Sequence, residues 1–279
     1  MRDEIKYYDR NNVLKLTLNQ WPYYSELADL LDWSWEYNEQ YGRINTFRRE
    51  KKEYSLIIGI ASDYKIHHDE ICDIFDADVL AGSPGYLELN GWKLPCYIVE
   101  AEHEVALELD RRDEFVVRAV DSTWIRTTTH SYNGTGDSQS LDEDLGRDYT
   151  LESAILGRGY NFGYSRPESY SADIDLPGTD NGYEVLFYGP AVDPTIYLDN
   201  KPVHVNVSIN ATQMLRIVSN GSTKTIQILE SNGVATDAFV FRDKDNSPFL
   251  TIGQYTELTY GQVQFDFTTI ERRSRPTWI

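Results

Sequence analysis

Five histidines, two cysteines and 45 carboxylates are the side chains with which this 279-residue chain could do acid–base, nucleophilic or metal chemistry. His67, His68 and Asp69 form the only histidine cluster, at the start of a helical pattern. Adjacent positions on a helix point in different directions, so the two rings make a poor joint metal site and read as a polar group where a helix begins. The loop Asp243-Lys-Asp-Asn246 loosely follows a calcium loop but lacks its sixth-position glycine and twelfth-position glutamate, and a tight turn accounts for it. Residues 157–163, GRGYNFG, are glycine-rich, yet no strand leads in and no helix follows, so they do not form a phosphate cradle. Cys72 and Cys96 have neither zinc spacing nor a disulfide framework and read as small buried hydrophobes. A glycosidase needs two carboxylates roughly 5–9 Å apart, and nothing in the sequence selects one pair among so many. These residues define no catalytic centre, no cofactor site and no metal site, which directs attention to binding and structural roles.

The end of the chain reads FDFTTIERRSRPTWI. Arg272, Arg273 and Arg275 crowd together in an acidic protein, and Trp278 follows. An exposed tryptophan has a strong drive towards burial. The expectation is that the chain leaves its last strand and returns to the first half. Trp278 would fill a pocket there, Pro276 would fix the approach, and the arginines would pair with carboxylates, for which their forked geometry is suited. A solvated tail with a sticky end is the rival. Two further stretches are candidate contact surfaces. Residues 21–38, WPYYSELADLLDWSWEYN, carry Trp21, Trp33 and Trp35 and suit either a core or an interface between chains. The basic run at Arg48 and Arg49 continues into KKE and reads as a solvated hairpin or as a charged arm that embraces an adjacent chain.

These candidates need a scaffold, and composition bounds it. The length suits two domains. Hydrophobic residues make up 41%, so the chain is globular, and twenty tyrosines against two methionines lean towards β-structure. The formal charge is −19, spread over both halves, which disfavours a groove for duplex DNA but suits a wall past which DNA slides. The first twelve residues, MRDEIKYYDRNN, lack the apolar core of a secretory signal, and no apolar run approaches the ~20 residues of a membrane span. A soluble, cytoplasmically made protein is expected.

In the first half, VLKLTL (13–18) alternates as a half-buried strand, while YSLIIGIA (54–61) and EFVVRAV (114–120) read as buried strands. A helix is expected at about 68–80: Ile71, Ile74, Phe75 and Val79 form one stripe, Asp69 and Glu70 suit its first turn, and Gly82 is placed as its C-cap before Pro84. Asn90-Gly91 predicts a hairpin across 86–102. Residues 131–182 lack periodicity and read as the region between domains. The second half carries eight short strand-like segments, GYEVLFYG, PTIYLD, PVHVNVSI, QMLRIVS, TKTIQILE, DAFVFR, SPFLTIG and VQFDFTT, separated by turn signals. That pattern predicts a β-sandwich or jelly roll.

Taken in order, YGPAVDPTIYLDN, VNVSI, LRIVSNGSTKTIQI, DAFVFRD, FLTIGQY, YGQVQFDFT and ERRSRPTW resemble the distal tail protein family of long-tailed phages of Gram-positive bacteria. In the first half, RINTFRREKKEYSLIIGIA, one helix and GYLELNGWKLPCYIVEAE are similar to that family too. The closing Arg-Arg-Ser-x-Pro-x-Trp is the most specific of these motifs. The resemblance implies a mainly β protein with two domains. Residues 1–148 would be a β-sandwich or split-barrel-like ring domain with one helix, to which 270–279 returns. Residues 149–269 would be a galectin-like jelly-roll sandwich. It further implies a virion structural protein of the tail tip or baseplate: a homohexameric ring, single or stacked. The ring would join the tail tube protein to a tail-associated hub, lysin or fibre protein. Its channel would pass the tape-measure protein and DNA without binding DNA specifically. The resemblance implies no catalysis, no cofactor and no membrane partner. A stand-alone wall lectin is the alternative, and a glycoside hydrolase a further one. His204-Val-Asn206 is similar to a fragment of the galectin sugar signature, but Ser208 and Ile209 stand where its arginine would follow.

Overall fold

In the computed structural model the described residues are 4–26, 29–50, 52–104, 112–133, 170–176, 181–221 and 223–276. They fall into two compact units: one runs to Arg126 and resumes at Arg272, and the other is Thr127–Glu271.

The first unit contains β1 (Ile5–Tyr8), β2 (Leu14–Leu18), β3 (Tyr23–Glu26), β4 (Trp35–Gln40), β5 (Arg43–Arg49), β6 (Glu53–Ile60), α1 (Tyr64–Ala81), β7 (Gly85–Leu89), β8 (Trp92–Glu104), β9 (Arg112–Ala119) and the start of β10 (Trp124–Tyr132). Strand β8 is shared between two antiparallel arms. Its beginning pairs with β7, which leads to β1 and β2, and meets β10 at Lys93. From Cys96 onward it pairs with β9, which leads to β6 and β3, and a bulge between Ile98 and Glu100 separates the two stretches of that ladder. Period-two alternation puts Ile5, Tyr7, Leu87, Leu89, Leu56, Ile58, Phe115 and Val117 into one core. Helix α1 closes over it. Ile71 is buried, and the Phe75 ring meets Tyr7 and Phe115 edge-on with centroids 4.9 and 5.5 Å apart. Each such ring contributes roughly 1.5–3 kcal/mol by burial.

Both expected turns form. Asn90 and Gly91 take φ of 52° and 78°, as a two-residue hairpin requires. Gly82 caps α1 in the left-handed region and donates its N–H to the carbonyls of Asp78 and Val79. The last turn of the helix is pinned by Asp78, which is buried and accepts from the Tyr7 hydroxyl at 2.8 Å and Arg10 Nη1 at 3.1 Å. At the other end α1 begins earlier than the expected 68. Tyr64 opens it and donates its hydroxyl to the buried Asp113 carboxylate at 2.7 Å. Asp69 and Glu70 therefore lie in the second turn, not the first.

The second unit carries β11 (Tyr170–Asp175), β12 (Gly182–Tyr188), β13 (Ala191–Val192), β14 (Thr195–Leu198), β15 (Lys201–His204), β16 (Ser208–Ile209), β17 (Gln213–Asn220), β18 (Thr223–Glu230), β19 (Ala235–Asp237), β20 (Tyr255–Tyr260) and most of β21 (Phe265–Arg273). The order β19-β18-β17-β12-β21 makes one antiparallel sheet and β11-β20-β14-β15 another, with β13 and β16 as a small separate pair. Val185, Phe187, Leu215, Ile217, Phe265 and Phe267 from the first sheet and Ile196, Leu198, Leu258 and Tyr260 from the second share one core, a β-sandwich.

Three expected strands come out differently. The stretch PVHVNVSI is broken into β15 and β16. In DAFVFR the strand ends at Asp237, whose carboxylate accepts the Phe239 N–H at 3.0 Å, and a 3-10 turn follows at Phe239–Phe241. SPFLTIG is no strand. Its backbone is held by side chains instead: the Tyr183 hydroxyl donates to the Pro248 carbonyl and Ser219 Oγ to that of Leu250. Conversely β11 lies inside the aperiodic 131–182, and β20 was not expected. The expected boundary at 148/149 and the GRGYNFG stretch lie outside the described residues. Among the described residues no helix is long and apolar enough to cross a membrane.

Both cysteines are free. Burial pushes the Cys96 thiol up to about 12, and burial with the nearby carboxylates raises that of half-buried Cys72. Native protein at pH 8 is therefore expected to leave Cys96 unlabelled by a thiol reagent and to modify Cys72 slowly, with both reacting in denaturant. Rapid native labelling of Cys96 would contradict this packing.

Candidate functional site

His67, His68, His204 and the Asp243 turn, all singled out in the sequence, are engaged locally. His67 Nδ1 lies 3.3 Å from the Tyr23 hydroxyl and 3.4 Å from a Glu70 carboxylate oxygen, and His68 Nε2 lies 4.0 Å from Asp113. His204 Nδ1 is 2.7 Å from Thr195 Oγ1 and its Nε2 is 2.8 Å from the Asn206 side chain. Asp243 accepts from the Asp245 N–H at 2.9 Å and from Asn246 Nδ2 at 3.0 Å, a self-contained turn. Among the described residues no three His, Cys, Asp or Glu side chains are grouped so as to hold a metal ion.

The chain's end makes the more informative arrangement. After β21 the described tail stays with the first unit. The Arg272 guanidinium donates to Asp121 Oδ2 at 2.7 Å, and its side chain is only 12% exposed. The Arg273 guanidinium lies 5.4 Å from the centroid of the fully buried Trp92 ring, and Arg126 lies 4.8 Å from the same ring. Arg49 reaches in from β5: its Nε donates to Ser274 Oγ at 3.1 Å, its Nη1 to Thr123 Oγ1 at 3.3 Å, and its guanidinium sits 5.3 Å from the Trp35 centroid. Pro276 is buried.

Six of the nine residues singled out in the sequence thereby line one cleft of about 530 Å³: Trp33, Trp35, Arg49, Arg272, Arg273 and Arg275, joined by Ser274 and Pro276. Trp21 is not among them and stands 75% exposed in the turn before β3. Arg48 faces the other side of its strand, opposite Glu36. Trp278 lies outside the described residues. Sequence reading missed Trp92, Asp121, Thr123 and Arg126. Only Trp92 carried a signal, as the first residue after the Asn-Gly turn.

The hairpin that supplies Trp35 and Arg49 is amphipathic in an unusual way. Its register places Trp35 with Arg49, Tyr37 with Phe47 and, past a bulge, Glu39 with Ile44 on one face. Glu36 with Arg48, Asn38 with Thr46 and Gln40 with Arg43 occupy the other. Every residue of both strands is exposed except Arg49, including Tyr37 at 57% and Phe47 at 63%.

Both units together have the fold of the hub proteins of phage tails. The SPP1 Dit protein, described as a paradigm of the hub adsorption apparatus in phages infecting Gram-positive bacteria, superposes with a TM-score of 0.57 at 8% identity, over 98% of this chain and 100% of that one. A chain of the phage P2 baseplate in its activated conformation with Ca gives 0.58 at 10% identity, over 99% and 100%. The corresponding baseplate with Sr gives 0.53 at 10% identity, over 99% and 100%. No family model and no curated protein matches the sequence.

The Arg273–Trp92 contact is expected to be energetically coupled. In a double-mutant cycle of Arg273→Ala and Trp92→Leu, followed by thermal unfolding, a coupling of about 0.5–2 kcal/mol is predicted. Strictly additive losses would show that the returning tail merely lies near the ring.

Proposed function

We propose that this protein is the distal hub of a phage tail. Six copies close into a ring through the first unit, and the sandwich unit projects outward. One ring face meets the tail tube protein, and the other meets a tail-associated hub, lysin or fibre protein. The channel passes the tape-measure protein and then DNA. The reading assigns a structural role in the virion tail tip or baseplate, without catalysis or cofactor, assembled in the cytoplasm of the host. It leaves the domain split at the tail's return: a ring domain completed by the last residues, with the sandwich set between.

The observation that carries it is the end-to-end likeness to hub proteins, over 98% of this chain and 100% of SPP1 Dit. A shared sandwich alone would have matched one unit. The exposed aromatic hairpin supports the reading independently, because an apolar face of this kind on a soluble chain favours a partner. Charge supports it as well. Six chains of −19 carry about −114, and part of this would line the channel and keep DNA from adhering.

Native mass spectrometry over a range of concentrations tests the reading. A mass six times the 32.2 kDa of one chain is expected, or a multiple of that if rings stack. A protein that stays monomeric at every concentration and binds wall glycans would overturn it.

A further inference from the structure

We propose that the cleft at the root of the β4–β5 hairpin is a docking site for an extended acidic segment of a partner protein, one that carries carboxylates next to apolar side chains. The inference rests on the hub reading for the existence of such a partner, and its test does not depend on ring formation.

The lining sets the chemistry of the ligand. Arg49, Arg272, Arg273 and Arg275 line the cleft with Trp33, Trp35 and Pro276, and none of its described lining residues is acidic. Four of the 26 basic side chains thus share one cleft of a chain whose formal charge is −19. Asp121 offsets Arg272 at 2.7 Å. Arg275 is exposed and has no ion-pair partner among the described residues. The cleft therefore offers an uncompensated guanidinium among others of the same sign, and forked guanidiniums favour carboxylates.

The site is also prearranged. Arg49 is tied to Ser274 and Thr123, and Arg273 lies against the Trp92 ring, so binding a carboxylate orders few side chains anew. Trp33 and Trp35 remain 52% and 40% exposed and present apolar ring surface beside the cations. A ligand that satisfies both carries an acidic group next to an apolar one. The volume of about 530 Å³ selects its conformation. One turn of helix, about 10–12 Å across and about 5.4 Å long, would by itself fill that space, whereas an extended segment inserts only side chains.

Arginine with tryptophan also suits single-stranded nucleic acid. Charge decides between them. A nucleic acid carries its phosphates along its whole length and would be repelled by the acidic surface outside the cleft. A polypeptide can confine its acid to the residues that enter.

Fluorescence anisotropy on the full-length protein at low salt tests this with three labelled probes: an alternating glutamate–leucine peptide, its glutamine–leucine counterpart and single-stranded oligothymidine. The glutamate peptide is expected to bind about tenfold more tightly than either of the others, and added salt to weaken it. Arg275→Glu changes an exposed side chain. It is expected to weaken the glutamate peptide about tenfold or more at unchanged melting temperature and unchanged native mass, with Arg275→Lys recovering part of the affinity. The peptide is also expected to change tryptophan fluorescence, and Trp33→Phe with Trp35→Phe to abolish that change. Equal binding of the glutamate and glutamine peptides, no effect of Arg275→Glu, or tighter binding of oligothymidine would overturn the inference. So would a native mass that falls in Arg275→Glu, which would assign the cleft to a second copy of the chain. If wild type assembles as six chains while the peptide results fail, the hub reading stands and this inference alone falls. A wild type that is monomeric at every concentration yet binds the glutamate peptide through Arg275 removes the ring and keeps the site.

Discussion

The structure depends on how its two crossing strands are tied. The chain leaves the first unit along β10 and returns along β21, so everything from Thr127 to Glu271 is an excursion from one domain. Closing so long a loop would cost several kcal/mol of chain entropy if its ends were free. They are not free. Within the second unit Thr129 and Thr268 share a hydroxyl hydrogen bond of 2.8 Å, and Thr269 Oγ1 donates to the Thr128 carbonyl at 3.2 Å. Folding of the sandwich therefore presents its two ends side by side. Within the first unit, Asp121 then receives Arg272, and Trp92 receives Arg273. The three closing arginines thus have distinct roles: one ion pair, one ring contact, and Arg275 exposed at the cleft.

Charge distribution follows the same logic. In a chain of −19, basic groups are concentrated where the tail meets the hairpin root, while Asp69, Glu70, Asp73 and Asp76 stand exposed along α1. An acidic surface limits adhesion to nucleic acid. The amphipathic hairpin belongs to this pattern. Its polar face sets Glu36 opposite Arg48 in register, and Tyr37 and Phe47 on its aromatic face are exposed.

Much of this was legible in the sequence, for physical reasons that differ by element. The Asn90-Gly91 hairpin and the Gly82 cap were readable because positive φ leaves few residue choices. The alternating strands β2, β12, β17 and β18 were readable because one buried face imposes period two. The β4–β5 hairpin was not placed: its turn uses Tyr41 and Gly42, with φ of 53° and 72°, and a tyrosine there gives no turn signal. DAFVFR and SPFLTIG looked like strands because apolar composition does not distinguish a strand from an irregular segment held by side-chain hydrogen bonds. The partners of the closing arginines were hidden for a simpler reason. Asp121 is an ordinary loop residue until the fold brings it beside a tail about 150 positions away.

The central claim is a location, the distal end of a tail tube, and imaging tests it most directly. Electron microscopy of purified particles from a host producing this protein, with gold-labelled antibody raised against the chain, should mark only the tip of the tail, where averaged density should show six-fold symmetry around an open channel. Label on the capsid, label along the tail shaft, or particles that lack the protein altogether would contradict the account.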